Sequence, residues 1–233
     1  MHSIQSHQLS LQAGDSHTQA YFYHPEGDVP GILLLHSWWG LNDFFQRLSQ
    51  RLAGEGFAVL APDLNFGQVA RTIAEAEELR KQENSQTEAA VLAAVKLLRA
   101  QPGVTPGKLG VIGFSMGADY SLLLSAALPD EIGAVCLYYG AWEVDFSKTR
   151  AAFQGHFGDT DEWTEMVYVQ QLENAMRAAG LDPQFYIYPH TGHWFIEDDR
   201  PDAYQPESAN LAWERTVQFF KKYLGSYVSS PEI

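Results

Sequence analysis

The sequence predicts an α/β protein with a mostly parallel central sheet and helices on both faces. Two observations carry this expectation. Short apolar runs alternate with longer segments of helical periodicity along the chain, the pattern of repeated strand–helix–strand units. Some of those runs, Gly31–Leu35 among them, are continuously apolar, as expected of strands covered on both faces. At 233 residues, 45% of them apolar, the chain suits one domain over residues 1–233 with a sizeable core.

The elements follow in order. Residues 7–12 and 18–24 show short alternation and read as a leading antiparallel pair. After Gly31–Leu35, residues 42–54 place Phe44, Phe45, Leu48 and Leu52 at helical spacing, with Gly54 and Gly56 as stop signals. A buried strand at 57–61 is closed by Pro62. Residues 69–81 and 88–100 read as helices separated by Glu83-Asn84-Ser85. Leu109–Phe114 is a strand and Met116–Ala127 a helix. Strands are expected at 134–139 and 152–157, a helix at 167–179 ended by Gly180, and a last strand at Gln184–Tyr188. An amphipathic helix over 210–224 closes the chain. In open sheets of this kind, ligands bind beyond the carboxyl ends of the strands.

Composition narrows the partners. A net charge of −14 repels nucleic acid and anionic membranes, and disfavours anionic substrates at long range. Cys136 stands alone in an apolar run, so it reads as a buried strand thiol and gives no sign of oxidative folding. Residues 1–14 are polar, which does not fit a signal peptide, and no apolar run approaches the ~18 residues that span a bilayer. A cytoplasmic monomer or weak homodimer is the expectation. No His, Cys or carboxylate set has metal-ligand spacing, so no cofactor is expected.

The chemistry centres on Gly113-Phe114-Ser115-Met116-Gly117, between a strand and a helix. A turn that sharp needs small residues two before and two after the serine, and it lifts the hydroxyl above the sheet. The Met116 amide, at the helix start, is a candidate oxyanion donor. Serine needs a base. His193 follows the last strand; His190 is its rival, and Gly192 favours His193 by freeing the backbone to aim it. The acid belongs after the preceding strand, where Asp159 and Asp161 both stand. It would fix the histidine tautomer and stabilise the imidazolium. The spacing Gly158-x-x-Asp161 favours Asp161, leaving Asp159 to form a turn. The Trp38 amide, in the loop His36-Ser37-Trp38-Trp39-Gly40, is the second oxyanion donor expected. Ser37, Trp39 and Trp194 are candidate substrate contacts. Core packing is the competing reading for the tryptophans, and a turn cap for Ser37.

Several segments together resemble the dienelactone hydrolase family of α/β hydrolases. They are His36 to Asp43, Ala61-Pro62-Asp63-Leu64, Gly113 to Gly117, Tyr138-Tyr139-Gly140, Gly158-Asp159-Thr160-Asp161, Gly192-His193-Trp194-Phe195, Arg200 to Tyr204 and Trp213 to Thr216. The resemblance spans nearly the whole chain. It implies Ser115, Asp161 and His193 as a triad, and the Trp38 and Met116 amides as the oxyanion hole. Typical members carry cysteine where this chain has Ser115, and a thiol-activating glutamate where it has Ser37. Members that hydrolyse dienelactone hold its carboxylate with arginines, one of them four residues after the histidine; here that position is Glu197, expected to repel such a substrate.

The expected function is hydrolysis of a small carboxylic ester or lactone through a Ser115 acyl-enzyme. The alternatives are a dienelactone hydrolase (carboxymethylenebutenolidase) proper, and a non-catalytic small-molecule-binding member of the fold. Arg71 and Arg80, in the segment between Asp63 and Glu88, are the residues best placed to touch an anionic substrate, if they are not simply solvated.

Overall fold

The computed structural model describes residues 3–81 and 85–225. Of the break expected at residues 83–85, 83 and 84 lie outside these. Strands β1 (Gln5–Ala13) and β2 (Ser16–His24) form the antiparallel pair, turning at Gly14, whose φ of 58° suits glycine. Then come β3 (Gly31–Leu35), α1 (Asp43–Gly54), β4 (Ala58–Pro62), α2 (Ile73–Lys81), α3 (Ser85–Arg99) and β5 (Leu109–Phe114). The chain continues through α4 (Met116–Ala127), β6 (Ile132–Tyr138), β7 (Ala152–Gly158), α5 (Met166–Ala178), β8 (Gln184–Tyr188) and α6 (Pro206–Leu224).

The eight strands form one sheet in the order β1-β2-β4-β3-β5-β6-β7-β8. The strands from β4 and β3 through to β8 pair in parallel; β1–β2 and β2–β4 are antiparallel. Every residue of β3, β4 and β5 is buried, which explains their continuous apolar sequences. Both faces of the sheet are covered. A Cβ on Gly31 would meet Leu98 of α3, whereas one on Gly110 would meet Ile32 together with Phe220 and Leu224 of α6. Consecutive residues Gly31 and Ile32 thus face helices on opposite sides.

Three helix starts differ from the periodicity, and α3 begins at Ser85, inside the expected break, rather than at 88. The helix expected from residue 69 begins at Ile73, because Thr72 Oγ1 accepts the Glu75 N–H (3.3 Å) and caps it. The last helix begins at Pro206 rather than 210, since proline occupies a first-turn position that needs no N–H. Among the described residues no helix is long and apolar enough to cross a membrane.

Candidate active site

The carboxyl ends of β3, β5, β7 and β8 converge on one cavity. Strand β5 ends at Phe114 and α4 starts at Met116, so Ser115 makes the turn, with φ 51° and ψ −115°. A non-glycine residue there carries roughly 1–3 kcal/mol of strain. The flanking glycines are required by close approach. A Cβ on Gly113 would lie 2.2 Å from the Gly117 carbonyl oxygen, and one on Gly117 would lie 2.1 Å from that of Leu35. The Ser115 N–H donates to the Tyr138 carbonyl at 2.9 Å, anchoring the turn to β6.

Loops after β7 and β8 bring the base and acid to this serine. His193 Nε2 lies 2.9 Å from Ser115 Oγ, and its Nδ1 lies 2.7 Å from Asp161 Oδ2. The other oxygen of Asp161 accepts the N–H groups of Trp163 (2.8 Å) and Thr164 (2.9 Å), which fix the carboxylate's orientation. An ionised Asp161 accepts Nδ1–H, leaving Nε2 to accept the serine hydroxyl proton. Both side chains are buried. The rivals lie elsewhere. His190 is an exposed turn residue with φ 56°, and Asp159 Oδ1 accepts the Thr191 N–H at 3.4 Å, bracing the turn. The role expected of Gly192 is corrected: its φ is not positive, and the left-handed residues of this loop are His190 and Trp194.

The cavity, about 410 Å³, is lined by Ser115, Met116, His193, Trp38 and Trp194, all anticipated, by Tyr139 and Gly140, which the resemblance included without a role, and by Ala141, Trp142, Trp163, Thr164 and Tyr168, which the sequence did not point to. Trp38, Trp163 and Trp194 pack together, with ring centroids 4.9 to 6.0 Å apart. Trp142 and Tyr168 form an exposed rim. Their signal was position: each follows the carboxyl end of a sheet strand, where ligands bind. Arg80 lines the cavity and ion-pairs with Asp119 at 3.4 Å; Arg71 does not reach it.

The first loop is braced from beneath. His36 is fully buried, which pushes its pKa down although Asp63 pulls the other way. The neutral ring donates from Nδ1 to the Ser37 carbonyl (2.6 Å) and accepts the Leu64 N–H at Nε2 (2.9 Å). Asn65 Nδ2 donates to the Trp38 carbonyl at 3.1 Å.

Three expectations about this region need correction. Ser37 and Trp39, read as substrate contacts, are buried behind the cavity wall and do not line it. The Arg200 guanidinium lies over the Trp39 ring at 3.8 Å, so this tryptophan packs inward. Glu197 does not face the substrate either. It is fully buried, its Oε1 accepts the Tyr139 hydroxyl at 2.9 Å, and burial pushes its carboxyl up to about 8. Among the described residues, no three His, Cys, Asp or Glu side chains gather to hold a metal ion.

The dienelactone hydrolase family model matches residues 18–224 of the chain. The chain belongs to the dienelactone hydrolase family. It is 30% identical over 216 residues to "Protein usf" of Aquifex pyrophilus, covering 88% of this chain and 94% of that protein. Among solved structures, a dienelactone hydrolase-like promiscuous phosphotriesterase from metagenomic libraries superposes with a TM-score of 0.86 at 22% identity, covering 95% of this chain and 99% of that one. The dienelactone hydrolase of Anabaena variabilis superposes with a TM-score of 0.72 at 20% identity, covering 96% and 100%. These two likenesses concern the fold. Within the dienelactone hydrolase family this member is a serine-type hydrolase: Ser115 occupies the nucleophile position, with His193 and Asp161 completing the triad.

Proposed function

We propose that this protein cleaves neutral carboxylic esters or lactones carrying a bulky apolar or aromatic group, through an acyl-enzyme on Ser115. The observation that carries the reading is His193 bridging Ser115 Oγ (2.9 Å) and Asp161 (2.7 Å) at the floor of an aromatic-walled cavity. His193 takes the hydroxyl proton as Ser115 attacks the carbonyl carbon, and Asp161 stabilises the imidazolium. The oxyanion meets the Met116 N–H, which opens the first turn of α4 where no intrahelical carbonyl reaches it, and the N–H of Trp38. Both residues line the cavity beside Ser115. His193 returns the proton to the leaving alcohol, then draws one from the water that releases the acid.

The substrate class rests on the lining. Its charged side chains are Arg80 and Asp119, of opposite sign and ion-paired, inside a chain of net charge −14. An anionic lactone finds no net attraction there, whereas flat apolar groups find tryptophan faces. The test is labelling with a fluorophosphonate, followed by kcat/KM on esters differing in charge and acyl shape. We expect labelling that disappears in Ser115→Ala, and at least tenfold preference for neutral aromatic esters over anionic lactones. An unlabelled wild-type protein sinks the acyl-enzyme; preference for the anion sinks the substrate class.

A further inference from the structure

We propose that Glu197 is a positioning residue of the active site, holding Tyr139 against the ring of the catalytic histidine and so tying the triad to a buried carboxyl group that the catalytic cycle itself does not use. The proposal rests on the Ser115 esterase reading above. Tyr139 is the link. Its hydroxyl donates to Glu197 Oε1 at 2.9 Å, and its ring packs on His193 with centroids 4.7 Å apart. Its carbonyl accepts the Thr164 hydroxyl at 2.9 Å, and the Thr164 N–H donates to Asp161 Oδ1 at 2.9 Å. One tyrosine therefore bears on the base directly and on the acid through one threonine. Its φ of 42° is a conformation that side chains other than glycine rarely hold, so the contacts at both its ends fix it.

Glu197 holds that tyrosine from within the core. The groups facing its carboxyl are Tyr139 at the end of β6, Ser37 after β3, and Asp199 and Arg200 on its own loop. His193 stands beyond the Tyr139 ring. Glu197 Oε2 and Ser37 Oγ are both buried and neither has a hydrogen-bond partner among the described residues. Arg200 makes no ion pair with it; the guanidinium stacks on Trp39 and Trp194 instead. A carboxylate that is buried without an ion-pair partner is disfavoured, and burial outweighs the pull of the nearby Arg200, so the neutral acid is the resting form near pH 7. Above about 8 the proton leaves. The charge then appears behind Tyr139, at the carboxyl that holds this ring against His193.

The test is steady-state kinetics from pH 6 to 10 on a neutral ester, with wild type, Glu197→Gln, Glu197→Ala and Tyr139→Phe, alongside the NMR titration of the His193 ring carbons. We expect Glu197→Ala and Tyr139→Phe to lower kcat about tenfold at pH 7 with KM within about twofold. Glu197→Gln, which keeps the acceptor, should restore most of the loss. Wild-type kcat/KM should fall at least threefold above pH 8, and the His193 carbons should show a step near pH 8; Glu197→Gln should abolish both. Thermal melts identify any variant that fails to fold, and the Gln variant with the NMR titration then decides. An alkaline limb and NMR step that persist in Glu197→Gln overturn the proposal. If the NMR coupling is present but wild type neither labels with phosphonate nor cleaves any ester, the esterase reading fails and the positioning does not.

Discussion

Asp161 shows how one side chain is set by its neighbours. One carboxylate oxygen takes Nδ1–H of His193 and the other takes two backbone N–H groups, so neither is free to turn. Asp161→Asn keeps the volume but replaces an acceptor with a donor, favouring the tautomer that carries its proton on Nε2. That ring cannot accept from Ser115. The expected loss in kcat is about 10³–10⁴-fold with the fold intact. Asp159→Asn, at the neighbouring turn, should change kcat by less than about threefold; a larger loss there than at 161 would reverse the assignment. At this scale the triad was legible because motif, chain order and the Gly158-x-x-Asp161 spacing all pointed the same way. Glu197 was misread because sequence position carried it to the pocket, whereas only the packing of Tyr139, Ser37 and Trp39 reveals that its carboxyl turns inward.

The strand–turn–helix element around Ser115 is held by backbone contacts that leave no room for change. Gly117→Ala would place a Cβ 2.1 Å from the Leu35 carbonyl oxygen and 2.6 Å from that of His36. Neither backbone can withdraw without moving β3 and the Trp38 loop. We expect a loss of at least about 3 kcal/mol, beyond the usual range for a point mutation, measured by urea unfolding. Gly192→Ala is the contrast. Its nearest neighbour would be the Thr160 oxygen at 4.0 Å, and the φ there is not positive, so stability should change by less than about 1 kcal/mol. A large loss in that variant would restore the conformational role first assigned to Gly192. Apolar periodicity recovered every strand and helix, but not every helix start, those of α2 and α6 among them. Those two are set by a threonine cap and a proline, single residues outside the periodic stretch.

The aromatic cavity belongs to no single segment, which is why only part of it was visible beforehand. Trp38, Trp142, Trp163, Tyr168 and Trp194 are contributed by the chain following β3, β6, β7 and β8, and only the sheet order brings them together. The same tertiary burial gives the molecule two titrations of opposite sign. Glu197 stays protonated in the fold up to about 8, against an ordinary value of 4.5. Its contribution is fully present below 4.5 and is lost as pH rises toward 8, because the unfolded chain ionises first. His156, buried between the sheet and α6, is lowered to about 3 by burial and by Arg215. Its ring bonds Tyr188, Gln154 and Thr216 in the neutral form. Its contribution is present above the ordinary value of 6.5 and is lost as pH falls toward 3. Glu197→Gln removes only the first slope. Relative to wild type, its unfolding free energy should therefore rise steadily between pH 4.5 and 8, by about 2–5 kcal/mol in all, and level off beyond. Urea unfolding of both proteins at pH 4, 6 and 8 measures it. Below pH 4.5, where Glu197 is protonated whether folded or unfolded, the acid-side loss should run in parallel in both, since His156 is untouched. A difference between the two proteins that stays constant with pH would mean that Glu197 ionises in the fold at its ordinary value, and that its carboxyl is not sealed from solvent.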